Sequence, residues 1–286
     1  MNQKVSVILP VWNGEAFLDQ ALDSLRMQSY SNLEIVIVDD CSTDSTPVII
    51  ERHRIADKRI VVVRNEKNLK LPMSLNIGFL NSTGEWISWT SYDNVHKRDH
   101  ICTLLNEVTF RQFELGYGNY EIIDENSKLI KCSEVQDPIN LVRGNCVGAS
   151  FIYHRSVHER LGGYDETKFM FEDYDFWVRA FLSGVRMGCV SGNNYQYRIH
   201  LNQLSIRRSL PLSFLEYRRE LIEYRWNCSK KLKASALLDF MQLAEGYGAR
   251  REMLWAALYG FSLRPIWVLL QLFAGLYRRL HRLKIR

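Results

Sequence analysis

A chain of 286 residues, 47% apolar and 24% charged, carries enough apolar material for one large core or a core with an appendage, which excludes a disordered polymer. The net charge of +5 is unevenly spread: residues 1–204 hold 21 Lys and Arg against 26 Asp and Glu, whereas residues 205–286 hold 16 against 6, so a boundary is expected near residue 205. The six cysteines are scattered, with no C-x-x-C pair and no ligand-like Cys/His cluster, which fits a reduced, cytosolic setting.

The apolar run Val5 to Leu9 is short, meets Pro10 and lacks a small-residue cleavage site, so it reads as a buried first strand and not as a signal peptide. Further β-branched runs follow at 33–40, 59–65 and 85–90. Between them lie stretches of helical spacing such as Phe17, Leu18, Ala21, Leu22 and Leu25. This βαβαβαβ order predicts a mostly parallel sheet with helices on both faces, and the continuous run Ile35 to Val38 fits a strand covered on both sides. Ligands of such sheets bind beyond the carboxyl ends of the strands, where Asp39, Asp40 and Asp93 fall. Residues 116–131 read as a hairpin turning near Asp124 to Asn126. The stretch from Asn145 to Glu166 reads as a loop, a strand and a short helix stopped at Gly162-Gly163. No internal repeat and no low-complexity tract interrupts this order.

A nicotinamide-binding domain would need G-x-G-x-x-G after the first strand. Here "PVWNGEAF" supplies a single Gly14, and no P-loop occurs. The segments "VSVILPVWNGEAFLDQALDSLRMQSYSNLEIVIVDDCSTDST", "NLKLPMSLNIGFLNSTGEWISWTSYDN", "GASFIYHRSVHERLGGYDE", "FMFEDYDFWVRAFLSG" and "YRIHLNQLS", in this order, resemble the family 2 glycosyltransferases over about residues 4 to 206. The resemblance implies the GT-A fold, a Rossmann-like mostly parallel α/β sheet flanked by helices, here with a C-terminal helical and basic extension. It also implies an inverting enzyme of bacterial polysaccharide or glycolipid synthesis. The expected domains are 1–204, with a nucleotide-binding half to about residue 95 and an acceptor half from 96, then the tail 205–286.

By that resemblance, Pro10, Val11, Trp12 and Asp40 hold the base and ribose of a nucleotide-sugar. A carboxylate can accept an imide or hydroxyl proton, and an indole offers a stacking face. Asp39 and Asp40, with Ser42, Thr43 and Asp44, would also suit the start of the next helix. Asn76, with Asn68 and Lys70, lies in the segment that lines the donor site in relatives. The general base is Asp173 with Glu172 beside it, whereas Asp175 and Arg179, spaced i, i+4, read as a helix pair. Gly148, Ala149 and Ser150 match the acceptor loop, although small residues equally suit a tight strand entry.

In "SYDN" the family's first metal-site Asp is replaced, with Tyr92 left to bond the ribose. Asp93 keeps the direct ligand position for Mn2+ or Mg2+. His200 stands where relatives carry a histidine near the metal or diphosphate; a carbonyl-paired loop histidine is the plainer reading. The expected partners are a UDP- or dTDP-sugar and a glycan or lipid-linked acceptor. The different-class alternative is a catalytically silent protein that kept the fold. Processive synthesis is disfavoured by the missing Q-x-x-R-W.

After residue 205 the pattern turns helical. Its longest apolar run, Pro265 to Tyr277, is broken only by Gln271 and falls short of the roughly 20 residues of a membrane span. Interfacial Trp255, Trp267 and Tyr277, with Arg278, Arg279, Arg282, Lys284 and Arg286, suggest a helix lying on an anionic membrane surface, at the inner face of the plasma membrane. Packing of a helical pair on a protein partner is the alternative. Basic charge confined to an apolar tail does not indicate nucleic-acid binding.

Overall fold

The computed structural model describes residues 3–204 and 210–263. The two most apolar runs form its centre: β1 (Val5–Val11) and β2 (Leu33–Asp39) are buried at every position, as strands covered on both faces must be. They pair in parallel, Val5 with Leu33 through Val11 with Asp39. On either side lie β3 (Ile60–Arg64), beside β2, and β4 (Trp86–Trp89), beside β1, both parallel. Helices α1 (Leu18–Arg26), α2 (Thr46–Ala56) and α3 (Leu71–Leu80) connect them in the predicted order. Leu18, Ala21, Leu22 and Leu25 form the buried face of α1, at the spacing a helix requires.

The sheet continues beyond β4 with β9 (Phe151–His154), which runs antiparallel between β4 and β6 (Leu115–Gly118), and ends at β10 (Met187–Val190). Around it lie α4 (His100–Arg111), α5 (Arg155–Leu161) and α6 (Glu172–Leu182). Helix α5 stops at Gly162, which takes the left-handed conformation at φ 73°. The seven-stranded order is thus β10-β6-β9-β4-β1-β2-β3, the α/β arrangement expected.

A second sheet of four strands carries β5 (Val95–His96), β11 (Tyr195–Arg198), β7 (Tyr120–Ile123) and β8 (Leu129–Ser133), in that order. The hairpin predicted at 116–131 is its β7–β8 pair, turning through Asp124 to Lys128. Leu115 to Gly118 belongs to the large sheet instead. At two residues β5 is too short to leave a pattern in the sequence.

At the amino ends of β1 and β2, Glu34 is buried yet fully engaged. It accepts from Lys4 Nζ (2.7 Å), Ser6 Oγ (2.6 Å), Thr83 N (2.8 Å) and Thr83 Oγ1 (2.9 Å). These bonds offset the cost of burying its charge and tie both strands to the turn before β4.

The described residues form two compact units: one to Pro138 and from Cys146 to Leu204, the other Ile139–Asn145 with the chain from Leu210. The second unit contains α7 (Leu212–Glu220), α8 (Lys230–Gly246) and α9 (Arg250–Leu263). In it, α8 meets α9 through Phe240 and Trp255, whose ring centroids are 5.5 Å apart. The loop 139–145 joins this unit because buried Arg218 donates to the carbonyls of Val142 (3.1 Å) and Arg143 (2.7 Å), and Arg143 pairs with Asp239 at 2.7 Å. A division at 204/205 alone therefore misses seven residues that sit with the helices. No helix among the described residues is long and apolar enough to cross a membrane. Trp267, Tyr277 and the basic residues 278–286 lie outside the described residues.

Candidate functional site

Parallel register brings the carboxyl ends of β1, β2 and β4 to one edge of the sheet. There the β1–α1 and β2–α2 loops are laced together. Asn13 N donates to Ser42 Oγ (3.0 Å), Thr43 N to Asn13 Oδ1 (2.9 Å), Gly14 N to Thr46 Oγ1 (2.8 Å) and Ser45 N to Glu15 Oε2 (3.0 Å). Pro10 and Val11 are buried strand residues, but the indole of Trp12 is 51% exposed on this braced loop, an open aromatic face. Asn13 (φ 52°), Cys41 (φ 65°), Lys70 (φ 74°) and Met170 (φ 83°) adopt left-handed backbone, a conformation costly for residues with a Cβ. Such strain concentrates at functional loops.

The acidic pair divides its work. Asp39 is buried, accepting from Ser42 N (2.9 Å) and pairing with Arg64 (2.9 Å). Asp40 turns to the loop before α3, accepting from Asn65 Nδ2 (2.8 Å), Leu69 N (2.7 Å) and Lys70 N (3.0 Å). Neither caps α2, whose first N–H, that of Thr46, donates to Asp44 Oδ1 (3.0 Å). With two oxygens and about four lone-pair directions, Asp40 keeps room for a further donor. In the loop it braces, Asn68 Oδ1 is buried without a hydrogen-bond partner among the described residues.

The Asn76 amide donates to Tyr164 O (2.9 Å) and accepts from Tyr164 N (2.9 Å), clamping α3 to the segment after α5. A side chain held at both ends by backbone acts as a brace between these segments.

A Cβ on Gly14 would lie 2.8 Å from Tyr92 Cδ2 and 2.6 Å from Val11 Cγ2, so the Tyr92 ring lies against the β1–α1 turn and only glycine fits there. The ring also packs against the core.

Asp93 and His200, 107 residues apart, meet: Asp93 Oδ2 and His200 Nε2 are 3.0 Å apart, both buried. The cause is the antiparallel pairing of β5 with β11, Val95 opposite Gln196 and His96 opposite Tyr195, which continued outward sets Asp93 across from Arg198. Phe17 packs on the His200 ring with centroids 4.7 Å apart. One carboxylate and one imidazole suit a cation that arrives with diphosphate oxygens as its remaining ligands. Among the described residues there is no group of three or more His, Cys, Asp or Glu able to hold an ion. The donor set thus fits a substrate-assisted metal and not a self-sufficient one.

At the start of α6, Glu172 is buried and accepts from Met170 N (2.7 Å), which secures the left-handed Met170. Burial, with the Asp173 charge beside it, pushes the Glu172 carboxyl up to about 8. Asp173 is half-buried, accepts from Tyr174 N (2.6 Å) and lies within the electrostatic reach of the Tyr164 phenol. Trp177 of α6 packs edge-on to Phe151 of β9 (4.7 Å), and Phe151 to Trp89 of β4 (5.7 Å), which fixes this helix against the sheet. Asp175 and Arg179 form the expected i, i+4 pair at 2.7 Å.

Of Gly148, Ala149 and Ser150, Gly148 has a packing reason to be small. Gly148 is left-handed (φ 74°) with Tyr120 against it, 2.4 Å from where a Cβ would stand, and Ser150 O accepts from Gly118 N at 2.9 Å.

Sequence reasoning missed Arg198, which is fully buried beside Asp93, and Phe17. The only sequence signal for Arg198 was its place in "YRIH", two residues before His200.

The model of "Glycosyl transferase family 2" matches residues 6–162. A protein of Haemophilus influenzae named an uncharacterized glycosyltransferase is 31% identical over 222 residues, 70% of this chain and 67% of its own length. A Rickettsia bellii protein of the same description is 31% identical over 190 residues, covering 62% of this chain and 27% of its own. The matched stretch is likewise 31% of a Rickettsia felis relative, so the chain spans under a third of these longer proteins. Among solved structures, S. aureus TarS 1-349 in complex with UDP-GlcNAc is similar with a TM-score of 0.67 at 18% identity, over 93% of this chain and 82% of that one. At that identity the likeness is one of fold.

Proposed function

The chain belongs to glycosyl transferase family 2, and we propose that it moves a single sugar from a UDP- or dTDP-sugar to a hydroxyl of a glycan or lipid-linked acceptor, with inversion, in cell-surface polysaccharide synthesis. The observation that carries this reading is the meeting of Asp93 and His200 at 3.0 Å, near the strand ends that also carry Trp12 and Asp40. The Trp12 face suits stacking by a nucleobase. The spare acceptor capacity of Asp40, and the unpartnered oxygen of Asn68, suit its N–H or the ribose hydroxyls.

Asp93 and His200 would hold Mn2+ or Mg2+, which when bound neutralises charge on the diphosphate. Asp173 takes the proton of the acceptor hydroxyl as its oxygen bonds to the anomeric carbon; the bond from that carbon to the diphosphate breaks, and its electron pair leaves with the nucleoside diphosphate. Glu172, held up near 8, is mainly neutral at pH 7, which leaves Asp173 without a second charged carboxylate at its side.

The basic tail supports placement at an anionic membrane surface on the cytoplasmic side. In its described part, α9 leaves Leu254 (62%) and Leu258 (64%) exposed one helical turn apart, as an interfacial helix would.

A panel of nucleotide-sugars with Mn2+ tests the donor reading by release of nucleoside diphosphate. Turnover of a UDP- or dTDP-sugar that is lost in Asp93→Ala is expected. Equal turnover by Asp93→Ala, or no turnover of any sugar by the wild type, would sink it.

A further inference from the structure

Arg198 is the one fully buried arginine described in the chain, and its guanidinium lies among neutral acceptors. Nε donates to Asp93 O (2.9 Å). One terminal nitrogen reaches Asp124 O, Glu125 O and Ser127 Oγ (each 3.0 Å), and the other Gln20 Oε1 (2.6 Å). Its backbone N donates to Asn94 Oδ1 (2.9 Å), and its guanidinium lies 4.8 Å from the centre of the Phe17 ring. Phe17 packs on His200, and His200 bonds the Asp93 carboxylate, so these four residues form a closed loop of contacts through the Asp93 carbonyl.

A buried cation among uncharged acceptors costs more than an apolar residue would, and structural need alone is a poor reason to keep it. Its planar five-donor fork can join α1, the β7–β8 turn and the Asp93 carbonyl at once, which the point charge of a lysine cannot.

We propose that Arg198 is a positioning residue for the donor diphosphate and its metal. By fixing the Asp93 carbonyl it aims the carboxylate at His200; its charge, felt by the Asp93 and Asp124 carboxylates but held by hydrogen bonds to neutral acceptors only, also favours an anion on the open side of the pair. The assignment rests on the glycosyltransferase reading given above. It predicts that Arg198 acts on the part of nucleotide binding that depends on metal, because the contact runs through Asp93.

The test is calorimetry of UDP and dTDP binding, with Mn2+ and with EDTA, on wild type, Arg198→Lys and Gln20→Ala, each checked for folding by circular dichroism. Removing the outer support of a metal ligand lowers affinity about 10–100-fold, so Arg198→Lys is expected to lose that much in Mn2+ and little in EDTA. Gln20→Ala, which removes one bond, is expected to lose about two- to tenfold in Mn2+. Should Arg198→Lys fail to fold, Gln20→Ala decides by the same comparison. Unchanged binding in folded variants, or equal losses with and without Mn2+, overturns the assignment and leaves the donor reading intact. Absence of UDP and dTDP binding by the wild type overturns the donor reading, and this assignment with it.

Discussion

Glu172 and Asp173 are neighbours in sequence with different surroundings. Glu172 is buried with a carboxyl raised to about 8, above the ordinary 4.5, so between those values the folded state holds a proton that the unfolded state has lost. The stability this group contributes therefore falls as pH rises through that window. Relative to wild type, Glu172→Gln is expected to lose less stability as pH rises from 5 to 8.5, read from the two thermal midpoints; an identical slope in both would deny the burial effect. A second residue-scale expectation concerns Gly14, whose Cβ would strike Tyr92 and Val11. Gly14→Ala should cost about 1–3 kcal/mol in denaturant unfolding, and less in a Tyr92→Ala background. From sequence, "SYDN" exposes the loss of a carboxylate, but how the tyrosine packs depends on a glycine 78 positions away, which no local pattern reveals. The Asn76 brace is hidden for a like reason: its partner, Tyr164, is 88 residues distant.

At the scale of elements, the pairing of β5 with β11 creates the Asp93–His200 meeting, and it rests on a buried aromatic cluster. His96, His100 and Tyr195 pack with centroids 4.7–5.3 Å apart, and Tyr195 bonds Thr90 at 2.8 Å. Burial holds His100 down to about 3 and His96 well below its ordinary 6.5, with the neighbouring His100 adding to the shift at His96. Both stay neutral when folded and gain protons when unfolded, so stability is present above about 6.5 and declines as pH falls toward 3. In urea unfolding at pH 7.5 and 5.5, His100→Phe should lose less stability than wild type on going to the lower pH; an identical change in both proteins would count against a neutral buried pair. Strands β1 to β4 were legible because continuous β-branched runs between helical spacings leave few alternatives. The second sheet was not, because a two-residue strand and non-local pairing carry no periodic signal.

For the molecule as a whole, charge asymmetry predicts a change of character near residue 205, since composition is a global property. It could not reveal that residues 139–145 sit with the helices, because that depends on Arg218 reaching the carbonyls of Val142 and Arg143. The membrane proposal belongs to this scale. Sedimentation with vesicles containing anionic lipid should retain the full chain and release a version truncated after Leu263, with binding weakened by salt. Equal recovery of both versions in the supernatant would refute it.

The central claim is sugar transfer with Asp173 as base. Its most direct test compares wild type and Asp173→Asn, both verified as folded, with the donor found in the nucleotide-sugar panel. The account predicts that the transfer rate falls about 10²–10⁴-fold while calorimetric binding of the nucleotide stays close to wild type. Transfer by folded Asp173→Asn at near wild-type rate would contradict it.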